Sequence, residues 1–472
     1  MDTTSLNAAS SPFVARAPAP PAQSQESTPT GKLPVLSERM PPAATELLDL
    51  PDDLLRHLIP FLRTENTVPA IRNAARFRAT CERLRQAIAQ PIPDGVIGAI
   101  VCNRLDVLEQ LLLELKQSGK DVAQHLNNPV KPFYPCIFDS LLPLVLAASL
   151  GYSEMAAALI AAGANVNKAG DRGINALGAA ASSGNVAVVQ ILLQAGAAVE
   201  NRLDSEVPSA MMVAAMAGHT AIVQALLAAN ARFDGILEDD NPRLGGRTTL
   251  TLAADNGHPG VVQAFLQAGA QVDQPNSNGT TALMFAAAKG HADVVQALLD
   301  GGAEVDHAMH DGATALFAAA ETGSLATLQT LLQAGANMEA SSNGMTAIML
   351  AGVHGHTGVV QALLAAGARV DATDSDGKTA LMYAAREGQA SIVQTLLAAG
   401  ARVDATDSDG RTALMFAAEK GNINAVQALL HAGADCTSAS KQGKTALDLA
   451  NIFHQRHHPV VILLRDHTAT TG

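Results

Sequence analysis

The 472-residue chain has no Trp, and Phe, Tyr and Trp together make up only 3% of it. A core built on a few large aromatic anchors is therefore excluded. The 48% hydrophobic content falls mainly on Ala, Leu and Val, which suit closely packed helices. Cysteine is equally sparse. Cys81, Cys102, Cys136 and Cys436 form no CxxC pair, so they read as reduced, small apolar residues of a cytosolic setting rather than a disulfide framework. No apolar run reaches about 18 residues, so no membrane span is expected. The N-terminal residues lack the charged-then-apolar order of a cleavable signal peptide. Basic residues are also in short supply: 31 Lys and Arg face 44 Asp and Glu. Residues 1–90 hold 10 basic and 9 acidic groups, which leaves 21 against 35 for the rest. Such a surface lacks the clustered cations that duplex nucleic acid requires. P-loop, HExxH and GxSxG patterns are absent, so no enzymatic activity, cofactor or bound metal is expected.

What the chain has in abundance is one phrase, close to GxTALMxAAxxGxxxVVQxLLxAGAxVD, returning from about residue 140 to the C-terminus. The Gly after each LLxA segment falls at Gly269, Gly302, Gly335, Gly367, Gly400 and Gly433, with gaps of 33, 33, 32, 33 and 33 residues. Earlier copies end at Gly163 and Gly196, and Asn230 stands in for Gly in one more. A constant period of this size predicts a stacked array, each unit burying its apolar face against its neighbours. In the unit opening at Gly279, Ala282 to Lys289 reads as a short Ala-rich helix closed by Gly290. Asp293 to Asp300 reads as a second helix, burying Val294, Val295, Leu298 and Leu299 and closed by Gly301 and Gly302. Asp306 to Gly312 then forms an extended turn, which in later copies is the DSDG of Asp374 to Gly377.

The period, the frame and the Asp-Gly turn resemble ankyrin repeats over roughly residues 140–465. The resemblance implies an all-α solenoid of helix-turn-helix pairs with β-turn fingers, used to bind protein targets. The frame's usual Pro after Thr is Ala at Ala282, Ala315, Ala380 and Ala413. Its usual His two residues on is Met284, Phe317, Met382 or Met415. His219, His258, His291 and His356 follow the inter-helix Gly, a structural position in that family. The phrase at Leu363 recurs at Leu396 with only Lys378→Arg411 and Tyr383→Phe416 changed, which places partner specificity outside this pair.

The rest of the chain divides into three expected segments. Residues 1–45, rich in Pro, Ala, Ser, Thr and Gln, cannot bury enough surface to order themselves and read as a disordered leader. Residues 46–93 carry two helical stretches, LLDLPDDLLRHLIPFL and FRATCERLRQAI. Residues 94–143 combine a worn copy of the repeat with a Pro-rich linker, and the array occupies 144–466.

The 46–93 segment resembles an F-box. Leu50 and Pro51 open its first helix, Leu54, Leu55, Leu58, Ile59 and Leu62 form one apolar face, and Cys81 and Leu84 lie on the last helix. The resemblance implies docking of these residues on the Skp-type adaptor of a cullin–RING ubiquitin ligase; the alternative is a helical cap on the array. The Ala-heavy repeats behind an unstructured leader resemble secreted bacterial effectors, which implies type III export into a host cytoplasm, with a cytoplasmic location otherwise. Two irregular places are candidate target contacts. Glu238, Asp239 and Asp240 make an acidic tip suited to a basic partner, or a tolerated insertion. Phe133, Tyr134 and Phe138 form an aromatic patch, either an interface anchor or a plug at a junction. His454, His457 and His458 lie near a helix C-terminus, where positive charge is favoured, so no metal is assigned to them.

Overall fold

The computed structural model describes residues 94–101, 103–128, 142–170, 173–200, 209–233 and 247–471. The leader and the F-box-like segment lie outside these residues, as do most of the linker and the acidic insertion. The chain divides between Arg232 and Phe233 into two units.

In the first unit the worn copy forms α1 (Asp94–Val101) and α2 (Leu105–Gln117), followed by α3 (Val122–Asn127). Pairs then repeat as α4 (Pro143–Leu150) with α5 (Ser153–Ala161), and α6 (Ala176–Ser183) with α7 (Val186–Gln194). The pair α8 (Ala210–Ala217) and α9 (Thr220–Ala228) completes the unit. The first helix of each pair packs on the first helix of the next, and the second on the second.

The second unit continues the same alternation. It opens with α10 (Thr249–Asp255) and α11 (Pro259–Gln267), then α12 (Ala282–Lys289) and α13 (Ala292–Asp300), then α14 (Ala315–Thr322) and α15 (Leu325–Gln333). One finger closes as a small antiparallel hairpin, β1 (Ser341–Ser342) with β2 (Met345–Thr346). It leads into α16 (Ala347–His354) and α17 (Thr357–Ala365). The last pairs are α18 (Ala380–Arg386) with α19 (Ala390–Ala398), α20 (Ala413–Lys420) with α21 (Ile423–His431), and α22 (Ala446–Phe453) with α23 (Pro459–Thr471).

Local chemistry explains this regularity. Several inner helices, each the first of its pair, start after a Thr whose hydroxyl takes a backbone N–H at the third helical position: Phe317 N donates to Thr314, Met382 N to Thr379 and Met415 N to Thr412. At Ala315, Ala380 and Ala413 the missing Pro is thus no obstacle, because the cap survives. Ala residues then line the faces between layers, and Ala319, Ala351, Ala384, Ala385, Ala417 and Ala418 are fully buried. Their small side chains let inner helices approach closely. Outer helices contribute a Val/Ile/Leu set, such as Val294, Val295 and Leu298, or Ile392, Val393 and Leu396, each with almost no exposure. Every such side chain stabilises the stack by about 1.5–3 kcal/mol. Among the described residues Phe265 is the largest fully buried side chain, and it stacks at 5.6 Å on Phe233.

Candidate functional site

Among the surfaces open to a partner are the fingers and the exposed C-terminal ends of the inner helices. Both are held from beneath by contacts that repeat from layer to layer.

The first set stitches fingers together. The carboxylate before each finger accepts a backbone N–H from the following repeat: Asp273 from Glu304 (3.1 Å), Asp306 from Asn337 (2.8 Å), Asp371 from Arg402 (3.0 Å) and Asp404 from Asp435 (2.9 Å). Glu339 serves Arg369 in the same way and also pairs with its side chain at 2.9 Å. In the first unit Asn167 plays this part for Ala198 at 2.7 Å. Fingers are also joined by main chain alone, Ser408 N donating to Asp376 O (2.7 Å) and Lys441 N to Asp409 O (2.8 Å). Within a finger, Asp374 Oδ1 accepts from the N–H groups of Asp376 (2.9 Å) and Lys378 (2.8 Å), and Asp407 does the same for Asp409 and Arg411.

The second set holds the inter-helix turns. His291, His356 and His454 each place Nε2 on a backbone carbonyl of the preceding layer: Asp255 at 3.2 Å, Glu321 at 2.9 Å and Glu419 at 3.0 Å. A carbonyl can only accept, so the ring proton sits on Nε2. Where Asn422 takes the position, its amide donates to Ala385 O and Arg386 O instead. These side chains are layer ties. His454 also stacks on His458 at 4.4 Å.

On the open surfaces, three clusters combine charge with an aromatic ring. Tyr383 OH donates to Asp374 Oδ2 at 2.5 Å, and Lys378 pairs with Asp376 at 2.8 Å. Burial, reinforced by the Asp374 hydrogen bond, pushes the Tyr383 phenol well above its ordinary range. The Lys378 hydrogen bond holds the Asp376 carboxyl below its own. One layer on, Arg411 lies 4.0 Å over the Phe416 ring and pairs with Glu419. Arg247 pairs with Asp255 at 2.7 Å and covers the Phe285 ring at 4.6 Å. No group of three or more metal-ligating side chains occurs among the described residues.

None of the site residues singled out from the sequence can be placed against these clusters. Leu50, Pro51, Leu54, Leu55, Leu58, Ile59, Leu62, Cys81 and Leu84 lie outside the described residues, as do Phe133, Tyr134, Phe138, Glu238, Asp239 and Asp240. From the sequence Arg247 goes unnoticed, and Tyr383, Arg411 and Phe416 figure only as differences between twin repeats, set aside as places of partner specificity. The signal was present in the twin repeats: their two differences, Lys378→Arg411 and Tyr383→Phe416, fall in one patch and exchange a Tyr–Asp hydrogen bond for an Arg–Phe stack.

Family models agree with this architecture. A model described as "Ankyrin repeats (3 copies)" matches residues 97–204, 199–276, 250–342 and 337–407, and one described as "Ankyrin repeats (many copies)" matches 396–450. The chain belongs to the ankyrin-repeat family. Among solved structures it is similar to the human ASB11 ankyrin repeat domain, with 30% identity and a TM-score of 0.44, over 47% of this chain and 98% of that one. It is also similar to the ankyrin repeat domain of Bcl-3, an IkappaB family member, with 32% identity and a TM-score of 0.42, over 47% of this chain and 99% of that one. No curated protein matches it. Ankyrin repeats bind proteins, so the chain is a protein–protein interaction scaffold. No described helix is long and apolar enough to cross a membrane.

Proposed function

We propose that this ankyrin protein is a substrate receptor. Its repeats hold a target protein while residues 46–93 dock on the Skp-type adaptor of a cullin–RING ubiquitin ligase. The observation that carries the first half is the ladder under the fingers. Backbone and carboxylate contacts that repeat from layer to layer fix the finger positions, so the exposed side chains are presented by a rigid support. The second half is supported by the sequence of the F-box-like segment, with Leu50, Pro51 and the paired leucines at Leu54 and Leu55. In this reading the chain supplies proximity between target and ligase and performs no chemistry itself. The composition of residues 1–45 supports export as a bacterial effector into a host cell.

Purified Skp-type adaptor tests the docking directly. The full chain should retain it, and a Leu50→Ala/Pro51→Ala variant should not; equal retention removes the ligase link and leaves a plain binding or sequestering protein. Affinity purification from host extract, with and without residues 46–93, tests the scaffold itself. Targets of the repeats should persist after the deletion, and a chain that holds nothing in either form contradicts the reading. For export, a reporter fused to residues 1–50 should leave a secretion-competent bacterium and remain inside a secretion-null one.

A further inference from the structure

The last repeat breaks a rule that it otherwise follows. An array's terminal unit has to present polar residues where the next unit would have packed. Helix α22 does so. Asp448 stands where Met382 and Met415 are buried in the two preceding inner helices, and Asn451 stands where Ala385 and Ala418 are buried. Asp448 also closes a capping box with Thr445, taking its N–H at 2.9 Å.

Two positions further along the same helix the logic reverses. The preceding repeats place Arg386 and Glu387, then Glu419 and Lys420, at the end of the inner helix. Here α22 places Ile452 and Phe453, each 57% exposed, the most exposed large apolar side chains among the described residues. They shield nothing that the polar cap has left open. Their surroundings are charged in one sense. Arg386 is engaged by Glu387 at 3.6 Å and Glu419 by Arg411, so these four largely cancel. Lys420, one repeat back from Phe453, and Arg456, three residues beyond it, are exposed and enter no ion pair among the described residues. An apolar pair flanked by two cations outside any ion pair thus sits on a chain whose overall charge is negative.

We propose that this C-terminal corner is a docking surface for an acidic–apolar segment of a partner protein, large hydrophobic side chains flanked by Asp or Glu. The proposal deepens the scaffold reading and rests on it. Ile452 and Phe453 bury the partner's apolar side chains, while Lys420 and Arg456 receive its carboxylates and accelerate encounter.

A random-peptide library displayed on phage, selected against the full chain, tests it. Peptides pairing large apolar residues with Asp or Glu should be enriched. Synthetic versions should bind an Ile452→Ser/Phe453→Ser variant roughly tenfold or more weakly. They should bind a Lys420→Glu/Arg456→Glu variant more weakly too, with a flatter salt dependence. All four side chains are exposed, so the variants should melt at the wild-type temperature, which separates lost contact from lost fold. Selected peptides that bind wild type and both variants equally overturn this surface while leaving the scaffold reading intact. A selection without acidic–apolar enrichment also overturns it. Concentration-dependent self-association of the full chain that the Ile452→Ser/Phe453→Ser variant abolishes, without peptide selection, assigns the corner to a second copy and overturns the proposal.

Discussion

Two glycines with nearly the same backbone separate conformational strain from crowding. Gly323 and Gly335 adopt φ of 74° and 85°, so an L side chain is strained at both, by roughly 1–2 kcal/mol. A Cβ at Gly335 would meet nothing within 4 Å, whereas one at Gly323 would lie 2.5 Å from His356 Nδ1. Gly335→Ala should therefore cost only the strain in a urea titration. Gly323→Ala should cost about 0.5–1.5 kcal/mol more, because His356 must give up its bond to the Glu321 carbonyl. Equal losses would mean that the histidine tie contributes nothing. Tyr383 offers a test in pH. Its folded phenol holds the proton to higher pH than the unfolded one, so its contribution is complete below about pH 10 and is lost as pH rises through the folded value. The wild type should lose stability between neutral pH and about pH 11 more steeply than Tyr383→Phe, measured by denaturant melts at both; parallel losses contradict the assignment.

At the scale of the repeat, the core and the ladder should respond differently to mutation. Leu298 is fully buried between layers, and Leu298→Ala should cost about 2–5 kcal/mol. Asp306→Ala removes one exposed acceptor from Asn337 N and should cost about 0.5–1.5 kcal/mol, with the helical circular dichroism unchanged. The first of these sites was legible in the sequence, since the Val-Val-x-x-Leu spacing defines one helix face and the flanking Gly residues close it. The ladder was not. An Asp after Val looks like an ordinary turn residue until the next repeat is stacked above it. Three elements diverge from the repeat phrase in an instructive way. The hairpin at Ser341–Thr346 replaces the DSDG finger where Asn343 takes φ of 49° and no Asp is available to brace the turn. Helix α3, Val122–Asn127, was unforeseen although Asp121 caps it by accepting from Gln124 N at 3.0 Å. Its six residues are too short to show a period. The exposed pair at Ile452 and Phe453 escaped notice because apolar residues ending a helix look like core until the layer that would cover them is seen to be absent among the described residues.

For the second unit as a whole, repetition itself makes a prediction. Removing residues 378–410 joins Gly377 to Arg411 and restores the finger phrase without a seam. The helices newly brought together present the same kinds of side chain, because Leu414, Met415 and Val426 match the deleted Leu381, Met382 and Val393. The shortened chain should fold cooperatively, with a lower midpoint and a smaller denaturant m-value, since less surface is exposed on unfolding. A chain that aggregates or loses its helical signal would show that the twin repeats are not interchangeable.

Main-chain stitching of the fingers, Ser408 to Asp376 and Lys441 to Asp409, has an evolutionary corollary. Peptide groups are the same whatever residue carries them, so mutations at the tips leave these links in place. Lineages can drift toward new targets at those positions with little loss of foldedness, and inheritance of shape is separated from inheritance of taste.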